Sequence, residues 1–234
     1  MKLTIIRTGG VPAPLADQYP SYPAMFQGMF ERDGAKLAYE TVELDAGAPL
    51  PDPESLDAIL ITGSAYGVYD DVAWMEPLRA FIRGAHAART KMVGICFGHQ
   101  VIADALGGDV RKSEKGWGLG RHTYQIACRP PFLDAPRASL SVACSHQDQV
   151  ITPPEGARVV LSSEFTPNAG LHYANGTTLS FQPHPEFSDE YALQLVRLRK
   201  GLAEDAVIEK AKASFAKPSD SPLLTRAISR FLAA

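Results

Sequence analysis

Cys96 sits at the centre of Gly94-Ile95-Cys96-Phe97-Gly98, a thiol with glycine two residues away on either side. The pattern G-x-C-x-G is a sulfur version of the nucleophile elbow, in which glycines make room for a sharp strand-to-helix turn. A cysteine there faces the unpaired N–H groups and positive dipole end of the new helix, which favour the thiolate. The chemistry suggested is nucleophilic attack on a carbonyl. Such a thiol needs a base close by, and commonly a third group that fixes the base's tautomer. Phe181-Gln182-Pro183-His184-Pro185-Glu186-Phe187 offers both. Each proline holds its predecessor extended, and in an extended chain residues two apart point to the same side. His184 and Glu186 thus project together, so that a carboxylate can orient an imidazole. Taken alone, Cys96 also fits a small buried hydrophobe, and His-Pro-Glu a surface turn.

The elements that must position these groups are legible from periodicity. Short β-rich runs at Leu3 to Arg7, Leu37 to Glu43, Ala58 to Thr62 and Met92 to Ile95 alternate with helical spacing at Pro23 to Arg32 and Met75 to Arg89. This alternation predicts a parallel sheet covered by helices. Phe97 to Leu106 reads as a helix capped by Gly107-Gly108. Short strands follow at Tyr124 to Ala127, Leu140 to Cys144, Arg158 to Ser162, Gly170 to Tyr173 and Thr178 to Phe181, a mixed extension of the sheet. Lys115 to Gly120 reads as a glycine-rich turn around Trp117. The tail, about 188–234, is helical, with Ser188 as a cap and a break near Pro218. One domain over 1–234 is expected.

At 234 residues with 45% hydrophobic content, the chain can bury a substantial core. A net charge of −3, with no basic run and no long apolar stretch, gives no reason to expect nucleic acid or membrane as partner. The amino terminus reads as a first strand rather than a signal peptide. Three widely spaced cysteines without a C-x-x-C pair speak against a disulfide framework or zinc knuckle and suit a reducing cytoplasm. His86, His99, His122 and His172 lack metal-ligand spacing and read as surface or packing residues.

Gly94 to Gln100 together with Gln182 to Glu186 resembles the class I, or triad-type, glutamine amidotransferases. Two further segments fit: Ile61-Thr62-Gly63-Ser64-Ala65-Tyr66-Gly67-Val68-Tyr69-Asp70 resembles the family's glycine-rich oxyanion loop, and Cys144-Ser145-His146-Gln147-Asp148-Gln149-Val150 the S-H-x-D-x-V segment of its GMP-synthase-like branch. The resemblance implies a flavodoxin-like α/β core and a Cys96, His184 and Glu186 triad. It also implies backbone donors at Phe97 and Ser64, and a pocket formed by Gly63, Gln100, Ser145, His146 and Gln147. Where the family usually has G-G-P, this chain has Gly63-Ser64-Ala65, and serine tolerates unusual dihedrals less well than glycine. Asp148 matches the branch without a derivable role.

The expected activity is hydrolysis of the γ-amide of glutamine, or of another γ-glutamyl compound, through a cysteine thioester. No cofactor or metal is implied. Two versions stay open: a glutaminase passing ammonia to a separate synthase subunit, and a γ-glutamyl peptidase needing no partner. A catalytically weak regulatory protein on the same fold is the non-enzymatic alternative. The intracellular-protease-like family shares the cysteine elbow but does not predict His-Pro-Glu near the sheet's end.

Overall fold

The computed structural model describes all 234 residues. Its central feature is a nine-stranded sheet in the order β2-β1-β3-β4-β11-β10-β9-β6-β7. The first five are β2 (Ala38–Glu43), β1 (Lys2–Arg7), β3 (Ala58–Ile61), β4 (Lys91–Ile95) and β11 (Thr178–Phe181), and all are parallel. From there the pairing turns antiparallel through β10 (Gly170–His172), β9 (Arg158–Ser162), β6 (Gly118–Ile126) and β7 (Ser139–His146). A separate two-stranded ribbon joins β5 (Asp109–Lys112) to β8 (Asp148–Thr152).

Alternation along the parallel strands divides the core between the two faces. Leu3, Ile5, Leu60, Val93 and Ile95 pack with α1 (Tyr22–Arg32) and α6 (Ser221–Ala233). Their neighbours Ile6, Ile59, Ile61 and Met92 pack with α2 (Met75–Ala87) and α3 (Phe97–Ala105). Side chains two apart on a strand share a face, so each strand serves both layers. The helices present matching stripes: Leu78, Phe81, Ile82 and Ala85 are the buried side of α2. After α3, Gly107 takes a φ of 94°, the left-handed cap expected from its position.

Two more helices, α4 (Asp189–Leu198) and α5 (Asp205–Ser214), cover the antiparallel end. Ser188 caps α4, its Oγ accepting from Tyr191 N–H. No helix is long and apolar enough to cross a membrane.

The antiparallel half departs from the sequence reading. β6 begins at Gly118, so the second half of the expected turn at Lys115 to Gly120 is strand, and only its start around Gly116 turns. Glycines obscured this. At Gly120, with a φ of 83°, a Cβ would lie 2.7 Å from the Ala211 carbonyl, so the glycine lets α5 press onto β6. The sequence reading also lacks β5 and β8, which are short and pair with each other from well-separated parts of the chain, Lys112 opposite Asp148. Such pairing is a tertiary decision that local propensity does not encode.

Candidate active site

Thr8 after β1, Gly63-Ser64 after β3, Cys96 after β4 and Gln182 to Phe187 after β11 meet at the carboxyl ends of the parallel strands. The chain runs from β1 outward to β2 and then returns to the other side at β3. This reversal opens a crevice at the strand ends, where open α/β sheets bind ligands.

Cys96 occupies a φ of 55° and ψ of −104°, one of two non-glycine residues with positive φ. A backbone held there costs about 1–3 kcal/mol, which the surroundings must offset. They do so by close packing: a Cβ on Gly94 would overlap the Gly98 carbonyl, and one on Gly98 would overlap the Ile61 carbonyl. Cys96 N–H donates to the Phe181 carbonyl at 2.8 Å, and Gly98 N–H to the Thr62 carbonyl at 3.1 Å. The thiol thus sits on a turn locked between β3 and β11.

His184 and Cys96 flank one point: a Cβ on Gly63 would lie 3.1 Å from His184 Cε1 and 3.7 Å from Cys96 Cβ. His184 Nδ1–H donates to Glu186 Oε1 at 2.7 Å, so Nε2 is the nitrogen left to face the thiol. Phe187 stacks on the imidazole at 3.9 Å and 7°, and Tyr191 packs edge-on against Phe187 at 4.7 Å. Burial alone would drive the His184 pKa down. The charges of Glu186 and Cys96, and the hydrogen bonds to both, outweigh it and push the imidazole up to about 10. At neutral pH the site therefore holds an imidazolium.

The peptide between Gly63 and Ser64 has a fixed orientation. Its carbonyl accepts from Thr62 Oγ1 at 3.1 Å and lies 3.3 Å from Thr8 Oγ1. In a trans peptide the N–H points opposite the carbonyl, so Ser64 N–H faces away from the threonine pair, and it makes no hydrogen bond within the chain. The Ser64 side chain is engaged in holding the loop, donating to the Thr8 carbonyl at 2.7 Å and accepting from Tyr66 N–H at 3.2 Å. Its φ is negative, so serine in place of the family's glycine introduces no strain here. Phe97 opens α3, and its N–H is one that helical bonding leaves free.

Beside Cys96 and Ser64 lies a cavity of about 300 Å³, reached also by Gln100, Ser145, His146 and Gln147. Gln100 is 3% exposed, and its Nε2 already donates to the Asp148 carbonyl at 2.8 Å and to Gln182 Oε1 at 3.1 Å. That nitrogen ties the 145–148 segment to Gln182, just past β11, leaving only Oε1 for a ligand. His146 Nδ1–H donates to the same carbonyl at 3.1 Å, and burial drives its pKa down to about 3, so it is neutral. Asp148 accepts from Tyr69 O–H at 2.8 Å, and burial raises its pKa. This gives Asp148 a structural partner that the sequence did not reveal. A larger hollow of about 650 Å³ lies behind Glu186, between α1, α4 and α6, and does not reach the thiol.

His99 is fully buried, its Nδ1 2.7 Å from Ser180 Oγ, as a packing residue outside the cavity lining. No cluster of His, Cys, Asp and Glu side chains gathers as a metal site. Two cavity residues lie outside every motif: Lys112, paired across the ribbon with Asp148, and Arg199, the carboxy-terminal cap of α4. Arg199 had a sequence signal. It falls at i+8 from Tyr191 and i+4 from Leu195, so a charge continues the buried stripe of α4.

The family described as class-I glutamine amidotransferase matches residues 17–194. Gamma-glutamyl peptidase 2 of Arabidopsis thaliana is 31% identical over 86% of this chain and 83% of its own length. A glutamine-hydrolyzing GMP synthase subunit of Sulfolobus acidocaldarius is 26% identical over 80% of this chain and 89% of its own. In fold, the chain is similar to a glutamine amidotransferase from Thermotoga maritima, with a TM-score of 0.75 at 18% identity over 100% of this chain and 99% of that one. By the extent of the family match and of the likeness to the peptidase, the chain belongs to the class-I glutamine amidotransferase family.

Proposed function

We propose that the chain hydrolyses the γ-amide bond of glutamine or a γ-glutamyl compound, with Cys96 as nucleophile, His184 as acid and base, and Glu186 as the group that orients His184. The observation that carries this reading is the buried His184–Glu186 bond of 2.7 Å beside the strained Cys96. The raised His184 pKa supplies an imidazolium beside the nucleophile, ready to give a proton to the departing nitrogen.

The thiolate attacks the γ-carbonyl carbon, forming a C–S bond. Ser64 N–H and Phe97 N–H are the donors available to the developing oxyanion. As the C–N bond breaks, the imidazolium gives its proton to the departing nitrogen, leaving neutral His184 and a thioester. Water then yields a proton to His184 and adds to the thioester. Expulsion of the thiolate releases the γ-carboxyl group and restores the ion pair. Gly63, Ser145, His146 and Gln147 bound the amino-acid end of the substrate, and Gln100 shapes that wall through the 145–148 segment.

The relatives differ in where the nitrogen goes. One set is named as gamma-glutamyl peptidases and another as glutamine-hydrolyzing GMP synthase subunits, so a separate synthase is a partner to be tested for rather than assumed. Glutamate formation by the isolated chain tests the shared step: Cys96→Ala is expected to reduce it by at least about 10⁴-fold, leaving the fold nearly intact. Residual activity of Cys96→Ala near that of the wild type overturns the assignment. Labelling of Cys96 by a glutamine-like diazoketone, read by mass spectrometry, checks the nucleophile directly.

A further inference from the structure

The cavity beside Cys96 holds two cations, Lys112 and Arg199, and two carboxylates, Asp70 and Asp148. Glutamine brings one ammonium and one carboxylate. A γ-glutamyl amino acid brings one ammonium and two carboxylates, the second on the amine that leaves. Neither Asp70 nor Asp148 pairs with Arg199: Asp70 accepts from Gly67 N–H at 2.9 Å, and Asp148 from Tyr69 O–H. The Arg199 side chain makes no ion pair or hydrogen bond in the chain. Its Nε is buried without a partner, and its guanidinium lies 4.6 Å from the centre of the Trp117 ring. An arginine stacked on an aromatic plane with its N–H fork unused is built to receive a carboxylate in bidentate fashion.

The two cations come from different elements of the fold. Lys112 stands opposite Asp148 on the β5–β8 ribbon, beside the 145–148 segment that bounds the amino-acid end. Arg199 projects from α4, the helix whose Tyr191 packs on Phe187, which in turn stacks on His184. With Lys112 beside the segment assigned to the amino-acid end, Arg199 is the cation left in the cavity for the second carboxylate, the one on the leaving amine.

We infer that Arg199 is a specificity-determining residue that binds the free carboxylate of the amino acid joined through the γ-amide, making γ-glutamyl amino acids or short γ-glutamyl peptides the preferred substrates over glutamine. The inference rests on the hydrolytic reading of Cys96 and deepens it.

The test compares γ-glutamylglycine with γ-glutamylglycinamide, which lacks only the carboxylate charge. For the wild type, kcat/KM is expected to favour γ-glutamylglycine by about 10- to 100-fold, the range of one charge-assisted pair. Arg199→Met should bring that ratio to within about threefold of one, and Arg199→Lys, which keeps the charge without the fork, should retain part of it. A wild-type ratio near one overturns the inference. Equal loss of both substrates in Arg199→Met does so too, placing Arg199 at the α-carboxylate or in a structural role. Calorimetric binding of the same two probes to the Cys96→Ala protein reads the ratio without turnover. A preserved ratio there, with no glutamate formed by the wild type, overturns the catalytic reading and leaves the carboxylate site standing; a ratio near one overturns the site itself.

Discussion

Two segments bring a buried histidine to the same crevice, and they do so with opposite results. His184, in the 182–187 segment after β11, and His146, at the end of β7, are each 4% exposed. Burial acts on both in the same direction, against the charged ring. His184 nonetheless rises to about 10, while His146 falls to about 3. The largest part of the difference lies in what accepts the Nδ1 proton, a carboxylate at His184 and a backbone carbonyl at His146; Cys96 adds to the rise at His184, and the neighbouring His122 adds to the fall at His146. A full negative charge stabilises an imidazolium, and a carbonyl dipole fixes a tautomer without offsetting the lost hydration. Two rings of equal burial thus become a charged imidazolium and a neutral imidazole.

The sharpest way to break this comparison is to delete each ring. Removing the imidazole in His184→Ala should lower kcat for glutamate release by about 10³-fold or more, whereas His146→Ala should lower it by less than about tenfold and raise KM. Similar kcat losses in the two variants would dissolve the distinction. Next in size is Glu186→Gln. Without the carboxylate charge the largest of the effects that raise it is lost, and the His184 pKa falls from about 10. The alkaline limb of the kcat/KM profile should therefore move to lower pH, with activity at pH 7 reduced on the order of 10²-fold.

The third test is thermodynamic. Because the folded pKa of His184 is raised, its contribution to stability is full below about pH 6.5 and is lost as pH rises through about 10. For His146 the folded pKa is depressed, so the unfolded chain binds a proton that the folded one refuses. Stability then declines as pH falls from about 6.5 toward 3. His146→Asn retains a donor for the Asp148 carbonyl and cannot titrate. It should flatten the acid limb of urea-derived stability by up to about 1.4 kcal/mol per pH unit, with no change on the alkaline side. Tyr69→Phe is the mildest. It removes the bond to Asp148 at a half-exposed position, and KM should rise about two- to fivefold.

The parallel half of the sheet was legible because its signals are local. β1, β3 and β4 each match a short apolar run, and the elbow glycines announce a turn whose crowding only glycine relieves. The antiparallel half was harder to read. β6 hides behind glycines that exist to admit α5, and the β5–β8 ribbon depends on a pairing partner far along the chain. Arg199 and Lys112 escaped for a related reason, since each reaches the cavity through an element whose placement is long-range.

What the sequence determined by itself was the chemistry on offer: a thiol at a strand-to-helix break, and an imidazole held beside a carboxylate by two prolines. Residue type, short spacing and the restricted dihedrals of glycine and proline suffice for that. Only the tertiary structure decided that His184 and Cys96 flank Gly63, that Gln100 commits its amide nitrogen to the Asp148 carbonyl, and that an unpaired guanidinium lines the cavity. Charge states and ligand contacts depend on neighbours brought together across the fold, and burial and electrostatics act through space rather than along the chain.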